Sequence, residues 1–198
     1  MKRKLGITLL FLCLSINTWA GITASCSWGY GAQLYKAQAF SYTPNRVGYR
    51  VSEYAYGFTY LSTAYLNFAL SYEFAHKASI GLKSGYKGID QNYSIIPLEL
   101  EARYYFKSYE ESSAFLSLEA GSALHDLNFK DQIILASLGL GYREHLYKSL
   151  SVDFFLKLDA FYGHPLPIDR YEGEIPRSQL YYSYVSCAFL NLGIQINF

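Results

Sequence analysis

Half of the side chains are hydrophobic (51%), yet the sequence lacks any apolar run long enough to cross a bilayer as a helix. A membrane helix needs roughly 20 consecutive apolar residues. The one pronounced run, Leu5 to Ile16, is shorter, which excludes a helical membrane protein. An excess of one charge is also lacking: 17 Lys and Arg stand against 16 Asp and Glu, so there is no electrostatic footprint for a nucleic acid. Metal-ligand spacing is missing too. No His and Cys residues cluster, and no acidic loop has the spacing of a calcium site; Asp90 and Asp131 read as ordinary loop residues, and neither a metal nor a cofactor is expected. Cysteine is scarce, with Cys13, Cys26 and Cys187 the only three.

The N-terminus, MKRKLGITLLFLCLSINTWAG, places Lys2, Arg3 and Lys4 ahead of the apolar run and small residues around Ala20. That is the pattern of a secretory signal peptide. Residues 1–20 are expected to be the signal and residues 21–198 the mature domain, with cleavage after Ala20, or secondarily after Ala24. A lipoprotein cut before Cys26 is disfavoured because Thr23-Ala24-Ser25 lacks the usual upstream leucine. Removing the signal leaves 14 basic against 16 acidic side chains, a formal charge of −2.

What the chain does have is tyrosine (21), phenylalanine (13) and alternation. In Tyr181 to Phe198 the residues Tyr182, Tyr184, Ala188, Leu190, Leu192, Ile194, Ile196 and Phe198 share one face. Ser183, Cys187, Asn191, Gly193, Gln195 and Asn197 share the other; Val185, Ser186 and Phe189 break the pattern. Period two means a strand. Eight such segments are predicted, at about 27–38, 57–74, 78–86, 95–106, 113–122, 132–143, 149–162 and 181–198. Their connections alternate between short polar turns (75–77, 107–112, 144–148) and longer loops (39–56, 87–94, 123–131, 163–180). Short turns on the periplasmic side and long loops outside are the pattern of an outer-membrane barrel with both termini in the periplasm. In that arrangement Cys26 and Cys187 lie tens of Å apart along the wall at about 3.3 Å per residue. A disulfide requires Cα atoms within about 7 Å, so two unbridged thiols are expected.

The alternative, a soluble barrel with its apolar face inside, is opposed by two features. Aromatics gather at both ends of the apolar face: Trp28, Tyr30, Tyr72, Phe74, Tyr104, Phe106, Tyr142 and Phe198 at one end, Phe58, Tyr60, Tyr86, Tyr162, Tyr182 and Tyr184 at the other. The polar face interleaves charges with Gly29, Gly31, Gly81, Gly139, Gly141 and Gly193, which suits a narrow, filled lumen. Lys83, Glu99, Glu101, Arg103, Glu119, Asp153, Lys157 and Asp159 all fall on that face. Buried charges must pair. Acids outnumber bases in this set, which makes Arg103 the expected hub, with Glu101 its nearest partner and Glu119 a more distant one.

The run IPLELEARYYF at 96–106, followed by a polar turn, FLSLEAG and LGLGYR at 138–143, resembles the small outer membrane β-barrel family of Gram-negative bacteria common in Bacteroidota, barrels of the porin superfamily. That family is similar in architecture to OmpX and the transmembrane part of OmpA. The resemblance implies an all-β, eight-stranded antiparallel up-and-down transmembrane barrel in the bacterial outer membrane. It also implies lipid and lipopolysaccharide as surroundings, a monomer, and Phe198 as the terminal residue read by the assembly machinery. Function does not follow from fold. The expected role is a structural or surface-interaction protein acting through extracellular loops, with loops 39–56 and 163–180 the candidate surfaces and the outside partner unidentified. A small channel is the alternative from the other side, although eight strands leave a lumen only wide enough for side chains.

An enzyme that modifies lipid A is the remaining class. His76 and His145 read as turn residues. His125 with Asp126, and His164 with Asp169 and Ser178, lie at the outer rim, where histidine as base and serine as nucleophile have chemical sense. No serine stands at a fixed short offset from a histidine, and 163–179 reads first as a charged surface loop. No catalytic residue is assigned.

Overall fold

The computed structural model describes residues 21–46, 48–58, 61–90, 93–125, 133–147, 150–169 and 171–198, with the side chains of Asp90, Tyr93, His125 and Ile168 excepted. The expected signal peptide, Tyr60, Asp126 and Asp131 lie outside these residues. The chain enters β1 at Ile22–Tyr42, continues through β2 at Val51–Gly57 and β3 at Ser62–Ala75, then β4 at Ala78–Asp90 and β5 at Tyr93–Tyr105. It goes on through β6 at Ser113–His125, β7 at Ile133–Tyr147 and β8 at Leu150–Gly163. After a small hairpin of β9 (Ile168–Asp169) and β10 (Gly173–Glu174), it ends in β11 at Leu180–Asn197. Neighbours pair antiparallel in the order β11-β8-β7-β6-β5-β4-β3-β1, and β1 pairs back onto β11, which closes eight strands into a barrel. The expected up-and-down architecture is what forms.

Closure is staggered. Cross-strand partners followed once around, from Ile196 through Cys26, Phe68, Ser84, Leu98, Ser122, Ile134 and Tyr162, return to β11 at Ser186, ten residues from the start. A stagger of ten over eight strands leans each strand by about 40° from the barrel axis.

The faces are as the alternation requires. Leu70, Leu82, Leu98, Leu100, Leu118, Leu138, Leu140, Leu158 and Leu192 are exposed on the outside, Leu192 to 67%. Trp28, Tyr30, Tyr72, Phe74, Tyr104, Phe106, Tyr142, Tyr86 and Tyr162 are exposed on the same surface. A continuous apolar belt of this size suits lipid, not water. All eight charged residues assigned to the lumen are buried. Glycine supplies the room. A Cβ on Gly193 would come within 1.9 Å of the Tyr65 hydroxyl, and one on Gly31 within 2.1 Å of Asn191 Oδ1.

Two expected loops are instead largely strand. Segment 39–56 is taken up by the end of β1 and most of β2, leaving only a connection after Tyr42; segment 87–94 is taken up by β4 to Asp90 and β5 from Tyr93. In β1 the ladder slips between Gln33 and Tyr35, a β-bulge that turns both Leu34 and Tyr35 outward. Above it the parity reverses: Phe40 packs inward against the apolar core, while Ala39 lies between Tyr54 of β2 and Tyr184 of β11. The upper parts of β1 and β11, with β2, therefore rise above the closed barrel as a three-stranded tip. On its far edge β2 has no strand partner among the described residues.

Candidate functional site

The lumen is built in layers. Towards the end that holds the short turns, Arg143 chelates Asp153, with Nε to Oδ1 at 2.7 Å and a second nitrogen to Oδ2 at 3.0 Å. Arg103 reaches the same carboxylate at 2.6 Å, Glu101 at 2.8 Å and the Gln195 side-chain oxygen at 2.7 Å. Lys157 then links Glu101, at 3.4 Å, to Glu119. Lys83 joins Glu119 to Glu99, the latter at 3.1 Å. Lys87 holds Asp159 separately. Arg143–Asp153 and Lys83–Glu99 join adjacent strands and Arg103–Glu101 lies along one. By contrast, Arg103 on β5 reaches Asp153 on β8, Lys157 on β8 reaches Glu101 on β5 and Glu119 on β6, and Lys87 on β4 reaches Asp159 on β8, so these bonds cross the lumen.

The expected hub at Arg103 and its bond to Glu101 are present; Glu119 belongs to the two lysines instead. The expected excess of acid is reduced by two bases that continue the inward parity of their strands. Lys87 follows Lys83 on β4, and Arg143 closes the inward series of β7; both are buried. The expected strands 78–86 and 132–143 stop just before Lys87 and at Arg143, whereas β4 runs on to Asp90 and β7 to Tyr147, which carries both side chains inward. Glu73 adds a further acid 3.8 Å from Arg143.

Beside this network a cavity of about 20 Å³ is bordered by Tyr65, Asn67, Asp159 and Asn191. The Tyr65 hydroxyl, Asn67 Oδ1, Asp159 Oδ1 and the Asn191 amide are buried there with no protein partner. It has room for a water molecule. Towards the end that carries β2, Ile89, Ile95, Ile133, Leu135, Phe161, Val185, Cys187 and Phe189 fill the lumen with apolar side chains. Val185 and Phe189, two residues that break the alternation of the last strand, face inward with Cys187 and join this plug. No disulfide joins Cys187, opposite Lys36, to Cys26, opposite Ile196.

The outer histidine reading separates on inspection. His164 Nδ1 contacts the Ser183 carbonyl and its ring stacks edge-on against Tyr162 at 5.1 Å. The Asp169 carboxylate accepts from the Tyr171 and Glu172 amides at 2.7 and 3.0 Å and from the Tyr42 hydroxyl at 3.3 Å. Ser178 lines a different cleft from His164. No contact joins the three. His145, expected in a turn, lies instead on β7, which runs on to Tyr147, and its Nε2 meets the carbonyl of Tyr109 in the β5–β6 connection at 2.8 Å; the His125 side chain lies outside the described residues. Among the described residues, clefts of about 350 and 320 Å³ lie at the tip, the first between Thr43, Pro44, Asn45 and Gly48 on one side and Ser178–Tyr181 on the other, the second bordered by His164, Arg177, Leu180 and Ser183.

No protein-family model matches the chain, and no curated protein sequence matches it. Among solved structures, Neisserial surface protein A is similar at 12% identity, with 90% of this chain and 98% of that one covered and a TM-score of 0.47. The outer membrane protein OprG from Pseudomonas aeruginosa is similar at 10% identity, covering 90% and 96%, with a TM-score of 0.48. The outer membrane protein AlkL, solved in lipid bilayers, is similar at 12% identity, covering 90% of each chain, with a TM-score of 0.45. Likeness this distant transfers no function. The chain's own geometry makes it an eight-stranded antiparallel up-and-down β-barrel, apolar on the outside and charged within.

Proposed function

We propose that this protein is a bacterial outer-membrane barrel that does not conduct and that presents a rigid tip for interaction at the cell surface. The observation that carries the reading is the division of the molecule into a filled lumen and a structured tip. Paired charges occupy the middle of the lumen, an apolar plug closes its outer end, and clefts of ligand size open on the tip. Lipid and lipopolysaccharide surround the belt, the short turns and both termini face the periplasm, and the barrel works as a monomer delivered by the outer-membrane assembly machinery. The test is electrical. Purified protein reconstituted in planar bilayers should give no steady conductance, because moving an ion through would require breaking Lys83–Glu119–Lys157 and displacing Phe161 and Phe189. A reproducible open pore would put a channel in place of this reading.

A further inference from the structure

The larger tip cleft is assembled before any ligand arrives. The connection after β1 and the connection after β8 are tied together by the Thr43 amide donating to the Gln179 carbonyl at 3.0 Å. The Asn45 and Arg46 amides both donate to the Glu172 carboxylate, the first at 2.9 Å. Glu172 is in turn held by its own amide on Asp169. Both acids are thus consumed in fixing the walls. Arg50 lies over the Tyr181 ring at 4.6 Å and Arg46 over the Tyr171 ring at 4.7 Å, so the nearby cations are stacked on aromatic faces.

What remains to line the roughly 350 Å³ space is uncharged and mostly polar: Thr43, Asn45, Ser178, Gln179 and Tyr181, with Pro44, Leu180 and Gly48 completing the walls. Gln179 Nε2 donates to Asn45 Oδ1 at 2.7 Å, which locks the two amides side by side. Gln179 Oε1 is buried without a protein partner. The Thr43 and Tyr181 hydroxyls face each other at 3.4 Å. A charged ligand would meet no opposite charge in this lining, and an apolar ligand would leave amides and hydroxyls unsatisfied. A ligand with many hydroxyls, each both donor and acceptor, matches amides and hydroxyls group for group. The volume is at the lower end of small-molecule sites, roughly 300–1,000 Å³.

We propose that this cleft binds a neutral carbohydrate, a short glycan whose hydroxyls are taken by Asn45, Gln179, Thr43 and Ser178 against the edge of Tyr181. The proposal rests on the reading of the tip as the interaction face and names its ligand class. The test uses the full mature chain folded in detergent micelles on a printed array of neutral, sialylated and sulfated oligosaccharides. Signals should be confined to neutral glycans. They should fall about tenfold or more in Gln179→Ala and in Ser178→Trp, the latter placing a bulky ring in the cleft from an exposed turn, while Tyr171→Ala, outside the lining, keeps them. Heat-dependent gel mobility reports that each variant is folded, and Ser178→Trp decides the matter should Gln179→Ala not fold. Absence of any signal from the folded wild-type protein overturns the carbohydrate site. Binding restricted to sialylated or sulfated glycans overturns it as well, by pointing to Arg46 and Arg50. So does neutral binding untouched by the folded variants. Failure here in a protein that remains non-conducting leaves the surface-interaction reading standing, whereas an open pore removes that reading itself.

Discussion

Arg103 makes three hydrogen bonds from two of its nitrogens, to Glu101, Asp153 and Gln195, and no smaller or less planar side chain reproduces that fork. Arg103→Ala leaves two buried carboxylates short of a counter-charge, although Lys157 and Arg143 still touch them. The expected cost is about 3–5 kcal/mol, read as a lower urea midpoint in vesicle-bound protein; Arg103→Lys should fall between the two. An Arg103→Ala midpoint equal to wild type would show that the network adds nothing. Asp169 supplies a second residue-scale expectation. The Tyr171 and Glu172 amides hold its carboxyl below the usual range. A depressed folded pKa means that the contribution is present above the ordinary aspartate value, about 3.9, and is lost as pH falls through the lowered folded one. The Tyr171 and Glu172 amide resonances should therefore keep their folded positions on acidification past the point where exposed aspartates titrate. Movement at ordinary aspartate pH would show that the clamp is not formed.

At the scale of elements, β8 and β11 test which face meets lipid. Leu156 and Leu192 are cross-strand partners on the outside, and Asn191 faces inward beside them. Leu156→Arg or Leu192→Arg should each cost about 2–4 kcal/mol, against a mild effect of Asn191→Ala; folding from urea into vesicles gives the ranking, and its reversal would exchange the faces. The strands themselves were legible in sequence because one face is uniformly apolar, as in Leu98, Leu100, Ala102 and Tyr104 against Glu99, Glu101 and Arg103. The tip was not. One extra residue at the Leu34–Tyr35 bulge shifts the period of β1, and β2 is solvated on both faces, so Val51–Gly57 carries no apolar alternation to read. Of the ion pairs, only Arg103–Glu101, two residues apart on one face of one strand, was legible as a pair; the rest were legible only as a set. Which acid meets which base depends on the stagger of the closed barrel, which brings Arg103 to Asp153 across the lumen and gives Glu119 to the lysines.

For the whole molecule, the orientation is open to a direct check. Trypsin added to intact cells should cut at Arg46, Arg50 or Arg177, on exposed tip connections, and leave Lys77 untouched in its short turn. Cleavage at Lys77 alone would turn the barrel over. The seam between β1 and β11 bears on the order of events as the barrel is made. Hairpins from β3 to β8 join neighbours in sequence and can form as each turn closes, but the seam unites segments from opposite ends of the chain, the kind of contact that folding reaches late. Until then the sheet is an open curl with two long unpaired edges, each a template for the wrong partner. A chain stopped before β11 has no strand with which to shut, so such truncated copies should be held by chaperones or degraded, with no smaller barrel to settle into.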